Sequence, residues 1–311
     1  MVLRRDRAEL EHTTFWNIDQ FLNPGDLLVI NETRVIPARV YARKDTGGQI
    51  ELLLLRRIDD RTWEALVGGK GLVPGRRLSI DGGPGAEITA DLQGSRRLVC
   101  FDQPVELYLE RIGQMPLPPY IHTPLDNPER YQTVYARHPG SAAAPTAGLH
   151  FTPELMKKLT GKGIQFASVT LHVGLDTFAP VTEDDPEEHK IHTEWCEVTP
   201  AAVKLINAAH QNGGRVIAVG TTCVRTLESA VYPGSLGELV TPISGPTSLF
   251  ILPGYQFQVV DAMITNFHLP RSTLLMLVSA FAGREKVLAA YQEAIRLNYR
   301  FYSFGDAMLI L

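Results

Sequence analysis

The chain has 311 residues, 44% of them hydrophobic and 21% charged, a globular composition long enough for two domains and unlike that of a disordered or fibrous protein. Its formal net charge of −4 gives no support to a broad phosphate-binding surface, so any contact with nucleic acid has to come from a local basic patch. The three cysteines, Cys100, Cys196 and Cys223, are widely spaced and form no C-x-x-C, which argues against a disulfide framework and fits a reducing cytosol.

The charged first twelve residues do not read as a secretory signal, and the longest apolar run, 274–278, is far too short to cross a bilayer. A cytoplasmic protein with no membrane partner is expected. Residues 23–26 form a turn, and 27–30 a short buried strand ending in the polar Asn31-Glu32-Thr33-Arg34. From Val35 to about Met115 the character changes. Short β-rich runs at 37–43, 49–56, 62–67, 77–80, 86–92 and 97–101 alternate with Gly, Pro and Asp turns. Their even spacing, with no helical period, predicts a small antiparallel barrel closed by a short helix at 105–112. The proline-rich stretch 115–120 is a stiff linker that returns the chain to the first domain. The predicted organisation is a first part of an α/β domain at 1–35, an inserted β-barrel at 36–115, and the remainder of the α/β domain at 116–311.

After Tyr131–Tyr135 comes the loop 141–148, almost without side-chain bulk, which lets backbone approach a ligand closely. Thr152-Pro153-Glu154 opens a helix, with an N-cap, a proline at the first position and an acid in the first turn; it runs to about residue 160. A strand at 164–173 follows. Thr199-Pro200 opens a second helix by the same device, ended by Asn212-Gly213-Gly214. Residues 215–219 read as a buried strand, and Gly220-Thr221-Thr222 turns into a helix carrying Arg225 and Glu228. The last unit of this kind has a strand at 259–264, a polar corner, Ser272 as N-cap, a helix at 273–282, and Gly283 at its C-cap. Strands alternating with helices predict an α/β fold: a layered α/β domain with a mostly parallel core, interrupted by the inserted small antiparallel β-barrel domain. Ligands of such sheets sit outside the carboxyl ends of the strands. The polar ends 31–34, 172–177, 220–225 and 265–272 are therefore expected to meet in one crevice.

Local motifs narrow the chemistry. His189-x-x-His192-x-Glu194 lacks the H-E-x-x-H layout and fixes no third ligand, so no metal is expected. Cys223 sits at a helix start with no local histidine, a weak case for a nucleophile. There is no G-x-S-x-G, no Walker loop and no G-x-G-x-x-G. His150, His172 and His268 each end or follow an apolar run near a strand end, where a histidine suits acid–base work. Arg225, one turn into its helix, is placed to meet a carboxylate or phosphate; the plainer alternative is an i, i+3 pair with Glu228. The run 299–310 interleaves aromatics with Arg300 and Asp306. Bases stack on such surfaces, although a core strand is the better reading by position.

Several long motifs carry a resemblance: AAPTAGLHFT at 143–152, TLHVG at 170–174, GRVIAVGTT at 214–222, ITNFHLP at 264–270 with STLL at 272–275, and YSFGDAM at 302–308. In this order, over nearly the whole chain, they resemble the S-adenosylmethionine:tRNA ribosyltransferase-isomerases. The resemblance implies an α/β domain with an inserted β-barrel. It also implies an enzyme of queuosine biosynthesis that moves the ribosyl part of S-adenosylmethionine onto 7-aminomethyl-7-deazaguanine at the anticodon wobble position of tRNA. The implied product is epoxyqueuosine, with adenine and methionine released. S-Adenosylmethionine is then a substrate, no cofactor is needed, and the partner is the tRNA anticodon arm; a monomer is expected.

Such a reaction asks for a base, an acid and a carboxylate clamp. His172 and His268 are the candidates for proton transfer, and Asp306 for orienting the aminomethyl group. Arg225 and the helix start at Ser272 and Thr273 are candidates for holding the methionine carboxylate or a tRNA phosphate, and Phe267 or Phe178 for covering the adenine. Asn31, Thr33, Arg34, Thr146, His150, Thr221 and Asn266 complete the expected substrate-binding set. Members of the family usually begin with a few dozen more residues. Asp176 stands where they usually have Gly, Ala179 where they have Arg, and Cys223 where they have Ser, while Gly71 follows Lys70 where a basic residue is common. These departures bear on activity rather than on fold. The short start and Asp176 favour a catalytically weakened RNA-binding relative as the alternative; an ordinary methyltransferase is a third reading, against which the missing glycine-rich loop counts.

Overall fold

A computed structural model describes every residue except 122, 124, 175, 176, 178–180, 184, 190, 235 and 236. Asp176, Phe178 and Ala179, singled out above, lie outside the described residues.

The chain begins with β1 (Val2–Leu3), β2 (Leu10–Glu11), a 3-10 segment (Phe15–Phe21), β3 (Leu27–Asn31) and β4 (Thr33–Val35). Next come β5 (Arg39–Lys44), β6 (Gln49–Arg57), β7 (Thr62–Gly68), β8 (Arg77–Ser79), β9 (Ala86–Asp91), β10 (Arg96–Phe101), α1 (Leu109–Ile112) and β11 (Gly113–Gln114). Then follow β12 (His138–Ser141), α2 (Pro153–Gly161), β13 (Gln165–Leu171), β14 (Glu194–Val198), α3 (Pro200–Gln211) and β15 (Val216–Val219). The chain ends with α4 (Thr221–Ser229), β16 (Ile243–Thr247), β17 (Ala262–Asn266), α5 (Thr273–Ala282), α6 (Arg284–Arg296) and β18 (Ala307–Ile310). Two compact units result. One holds Met1–Thr33, Tyr131–His138 and Pro145–Leu311; the other holds Arg34–Arg130 and Pro139–Ala144. The chain thus re-enters the first unit at Tyr131, beyond the proline-rich stretch.

In the second unit the antiparallel order is β11-β5-β6-β7-β10-β9-β8, and β8 pairs back onto β5, closing β5 to β10 into a barrel. Alternate residues turn inward, as the two-residue period of a strand requires: Val40 and Ala42 on β5, Ile50, Leu52 and Leu54 on β6, Trp63, Ala65 and Val67 on β7. Register shifts at Leu54/Arg56 and Leu98/Val99 are bulges, which add the local twist that helps a sheet close.

In the first unit the described strands form one sheet ordered β16-β14-β13-β3-β15-β17-β18-β1-β2. Its centre, β13-β3-β15-β17, is parallel, and antiparallel pairings flank it on both sides. β3, β15 and β17 are buried at every residue, which fits strands covered on both faces. Leu27 and Val29 face the cluster holding Ile206 of α3, Leu227 of α4, Leu277 of α5 and Ala290 of α6. Leu28 and Ile30 face the cluster holding Ile18 with Leu155 and Leu159 of α2. Thr152, Thr199 and Ser272 cap their helices as expected, each accepting the backbone N–H three residues on. Among the described residues no helix is long and apolar enough to cross a membrane.

Candidate active site at the carboxyl edge of the parallel strands

Because the four central strands run the same way, their last residues share one edge. Asn31 ends β3 and is fully buried. Its Nδ2 donates to the Leu171 carbonyl at 3.0 Å and to Thr222 Oγ1 at 3.4 Å, while its Oδ1 accepts the N–H groups of Leu171 and Thr33, both at 3.1 Å. One amide therefore stitches the ends of β3 and β13 to the start of α4. Thr33 Oγ1 lies 2.8 Å from His172 Nδ1. The His172 ring stacks on Trp195 with centroids 5.3 Å apart, and the His172 N–H donates to the Trp195 carbonyl at 3.0 Å. Burial, aided by the neighbouring His138, pushes the imidazole pKa down to about 4. At neutral pH this ring is uncharged, clamped through one nitrogen and one face.

At the end of β17, Asn266 Oδ1 accepts from Thr146 Oγ1 at 2.9 Å and its Nδ2 donates to the Tyr302 carbonyl at 3.2 Å. His268 Nε2 sits 2.8 Å from Thr265 Oγ1, and its backbone N–H donates to the Tyr291 hydroxyl at 2.8 Å. Burial lowers this imidazole to about 4 as well. Ser272 spends its hydroxyl locally, donating to the Leu269 carbonyl at 2.7 Å and capping α5, whose first residue is Thr273. Thr221 opens α4 behind Gly220, whose φ of 91° is glycine territory and which supplies no side-chain cap.

Ala307 pairs with Asn266, so Asp306 stands beside the end of β17. Its carboxyl is held below the usual range: partial burial opposes this, but the Arg300 N–H at 2.7 Å and guanidinium at 3.0 Å prevail. His150 places Nδ1 3.2 Å from the Ala147 carbonyl and Nε2 3.0 Å from the Gly305 carbonyl. Burial lowers its pKa, and a neutral ring satisfies only one of those acceptors. His150 and Asp306 line a cavity of about 480 Å³ with Thr13, Phe15, Tyr299 and Arg300.

His172, His268 and Asp306 thus lie along one edge without forming one contact cluster. Two strands separate β13 from β17, so the ends carrying His172 and His268 are about 14 Å apart at ~4.8 Å per strand.

Two expected binding residues have other surroundings. Arg225 is mostly engaged inside the protein, with its buried Nη2 left without a hydrogen-bond partner among the described residues. It is buried, its Nη1 pairs with Glu194 Oε2, and its Nε donates to the Leu249 carbonyl at 3.1 Å. The Glu194 carboxyl falls to about 2; burial opposes ionisation, but Arg225 and His192 overcome it. Glu194 Oε1 also accepts from the Gly174 N–H at 2.9 Å and the Thr177 hydroxyl at 3.0 Å. Glu228 is engaged elsewhere, with the N–H groups of Gln258, Val259 and Val260. Phe267 is no cover for a ligand. Its ring is fully buried among Tyr291, Tyr299 and Phe301, because the strand's inward period carries it into the aromatic core.

Arg34 lies in the second unit, paired with Glu129. His189 and His192 pair with Glu183 and Glu194 respectively. Burial raises the Cys223 thiol, the wrong direction for a nucleophile. Sequence reasoning missed Trp195 and the hub at Glu194. Only the H-x-E spacing pointed to Glu194, and its main partner lies 31 residues away.

The sequence model of the queuosine biosynthesis protein family matches residues 1–310. The chain is 53% identical to an S-adenosylmethionine:tRNA ribosyltransferase-isomerase of Carboxydothermus hydrogenoformans and 54% identical to that of Moorella thermoacetica, each alignment covering 100% of this chain and 92% of the relative. Among solved structures it is similar to the S-adenosylmethionine tRNA ribosyltransferase of Thermotoga maritima. Identity is 40% and the TM-score 0.55, with 100% of this chain and 91% of that one covered.

Proposed function

The chain belongs to the queuosine biosynthesis protein family, and from that premise we infer that it is an S-adenosylmethionine:tRNA ribosyltransferase-isomerase. The end-to-end match carries this conclusion. The enzyme moves the ribosyl group of S-adenosylmethionine onto 7-aminomethyl-7-deazaguanine in tRNA and isomerises it to epoxyqueuosine, releasing adenine and methionine. The part of the tRNA contacted is the anticodon arm.

The chemistry assigns tasks to the edge. The donor's sulfonium acidifies the hydrogens of the adjacent ribose carbon. A base takes one of them, adenine leaves with a proton delivered to it, and the acceptor amine attacks in its neutral form. A neutral imidazole can take that proton, and their place at the strand ends makes His172 and His268 the candidates; burial keeps both neutral and makes each a weaker base than a free imidazole. Their separation argues that they serve different parts of a long substrate pair rather than one carbon. Asp306, ionised and only half-buried, suits an amine. For anionic groups the candidates are the unpartnered Nη2 of Arg225 and the first N–H groups of α4 and α5. Asn31, Thr33, Thr146, His150 and Asn266 hold the frame.

The test incubates the protein with labelled S-adenosylmethionine and tRNA carrying the deazaguanine precursor. Free adenine is the expected product. Methyl transfer, or no reaction at all, would overturn the assignment.

A further inference from the structure

Three aromatic side chains stand out as exposed among the described residues: Trp16, Tyr41 and Phe304. Trp16 is engaged, with the Lys158 ammonium 5.1 Å from its ring, and Tyr41 lies on the barrel strand β5. Phe304 alone lies at the carboxyl edge, 37% exposed, between the Gly305 carbonyl that meets His150 and the segment that begins at Tyr131, whose ring is 5.9 Å away.

The loop that carries Phe304 is held in an unfavourable shape. Tyr302 has a φ of 70°, a conformation that costs a side chain about 1–3 kcal/mol. It is fixed there because its N–H donates to the Phe267 carbonyl at 2.9 Å and its carbonyl accepts from Asn266 at 3.2 Å and from the Gly305 N–H at 3.0 Å. A Cβ at Gly305 would meet the Phe301 and Arg300 carbonyl oxygens at 2.4 and 2.5 Å, so the turn closes only on glycine. The Asp306 N–H then returns to the Arg300 carbonyl at 2.7 Å. An apolar ring that simply needed cover would not call for this. The same bonds that strain the turn tie it to Asn266 at the end of β17 and fix the backbone that carries the partly exposed Phe304 ring.

We propose that Phe304 is a stacking platform for a purine-type base. A ring on a backbone held in advance loses less entropy when a flat heterocycle covers it, and it binds any base through its face. The proposal deepens, and rests on, the transferase reading, which supplies two such heterocycles, the adenine of the donor and the deazaguanine of the acceptor.

The test measures adenine release for the wild type, F304L and F304Y, varying S-adenosylmethionine and precursor tRNA separately. F304L keeps an apolar side chain of similar size and removes the π face. A KM rise of about tenfold in F304L, with kcat little changed and F304Y close to the wild type, is the expected result. A rise confined to S-adenosylmethionine identifies the donor's adenine, and one confined to tRNA identifies the acceptor base. F304L matching the wild type in both KM values, or F304L and F304Y impaired alike, overturns the proposal. An anticodon stem-loop with 2-aminopurine at the wobble position, and free 2-aminopurine riboside, test the ring without turnover. Fluorescence quenching of either by the wild type, weakened in F304L, supports stacking even if no adenine is released, and absence of quenching with both counts against it. Failure of the activity reading and failure of the platform are therefore separate results.

Discussion

Glu194 and Arg225 form an ion pair with 2% and 7% of their side chains exposed; Asp306 and Arg300 form one with 34% and 75% exposed. The charges are the same and so is the sheet. The first pair has lost nearly all its water, and the carboxylate recovers that cost only by collecting further donors from Gly174, Thr177 and His192. The second keeps its water and bonds within one turn of chain. What differs is the cost of changing partners. At the β13 end the charges are locked and hold neighbouring backbone in place, whereas at the β18 end a carboxylate can exchange Arg300 for an incoming N–H donor at little expense. A site that must both position a base and receive a substrate amine has use for one corner of each kind.

The comparison can be broken most directly at the locked corner. E194Q leaves a buried guanidinium without its counter-charge and should cost about 3–5 kcal/mol in urea unfolding. A loss below about 1 kcal/mol would mean that the pair is not sealed from water. Next in size is H172A, which should retain the fold and slow adenine release by at least ~100-fold if this ring transfers a proton; turnover within a few-fold of wild type would remove it from the reaction. D306N, at the labile corner, should lower turnover about tenfold, the scale of one charge-assisted contact, while shifting the unfolding midpoint hardly at all. The smallest effect belongs to R300A, at roughly 0–1 kcal/mol of stability. A large loss there would erase the contrast.

Acid sharpens the same contrast. His172 and His268 titrate near 4 in the folded protein and near 6.5 when unfolded. Between those values these two rings make the unfolded chain bind up to two more protons than the folded one, and His150, also lowered, acts in the same direction. Stability is therefore full above about pH 6.5 and falls as pH drops through the window. Between pH 6.5 and 5, before carboxylates contribute, the H172A and H268A variants should each show a shallower slope. Identical slopes would mean that the rings are not held neutral.

Local chemistry made much of this fold readable. Ser272 as cap, α5 and Gly283 at φ 87° follow from neighbouring residues alone, and so does the barrel, whose strands obey a two-residue period between glycine turns. Helix α6 was not legible because Gly283 ends one helix and begins the next, leaving no Ser, Thr or Asp to announce the start. The site was readable as a set of strand ends but not as contacts. Spacing pairs Arg225 with Glu228, one turn away; burial against β14 gives it Glu194 instead. Phe267 looked like part of a polar corner because its neighbours are polar, and only the direction of its side chain decides otherwise.

The position of β3 at the centre of the parallel strands has a consequence for how the molecule is made. Leu27–Asn31 leaves the ribosome well before Leu171, whose backbone Asn31 grips 140 residues further along. At ~5–20 residues per second, translation needs roughly 7–28 s to deliver that partner. Throughout that interval an apolar strand with both edges open has to be kept from pairing with another nascent chain.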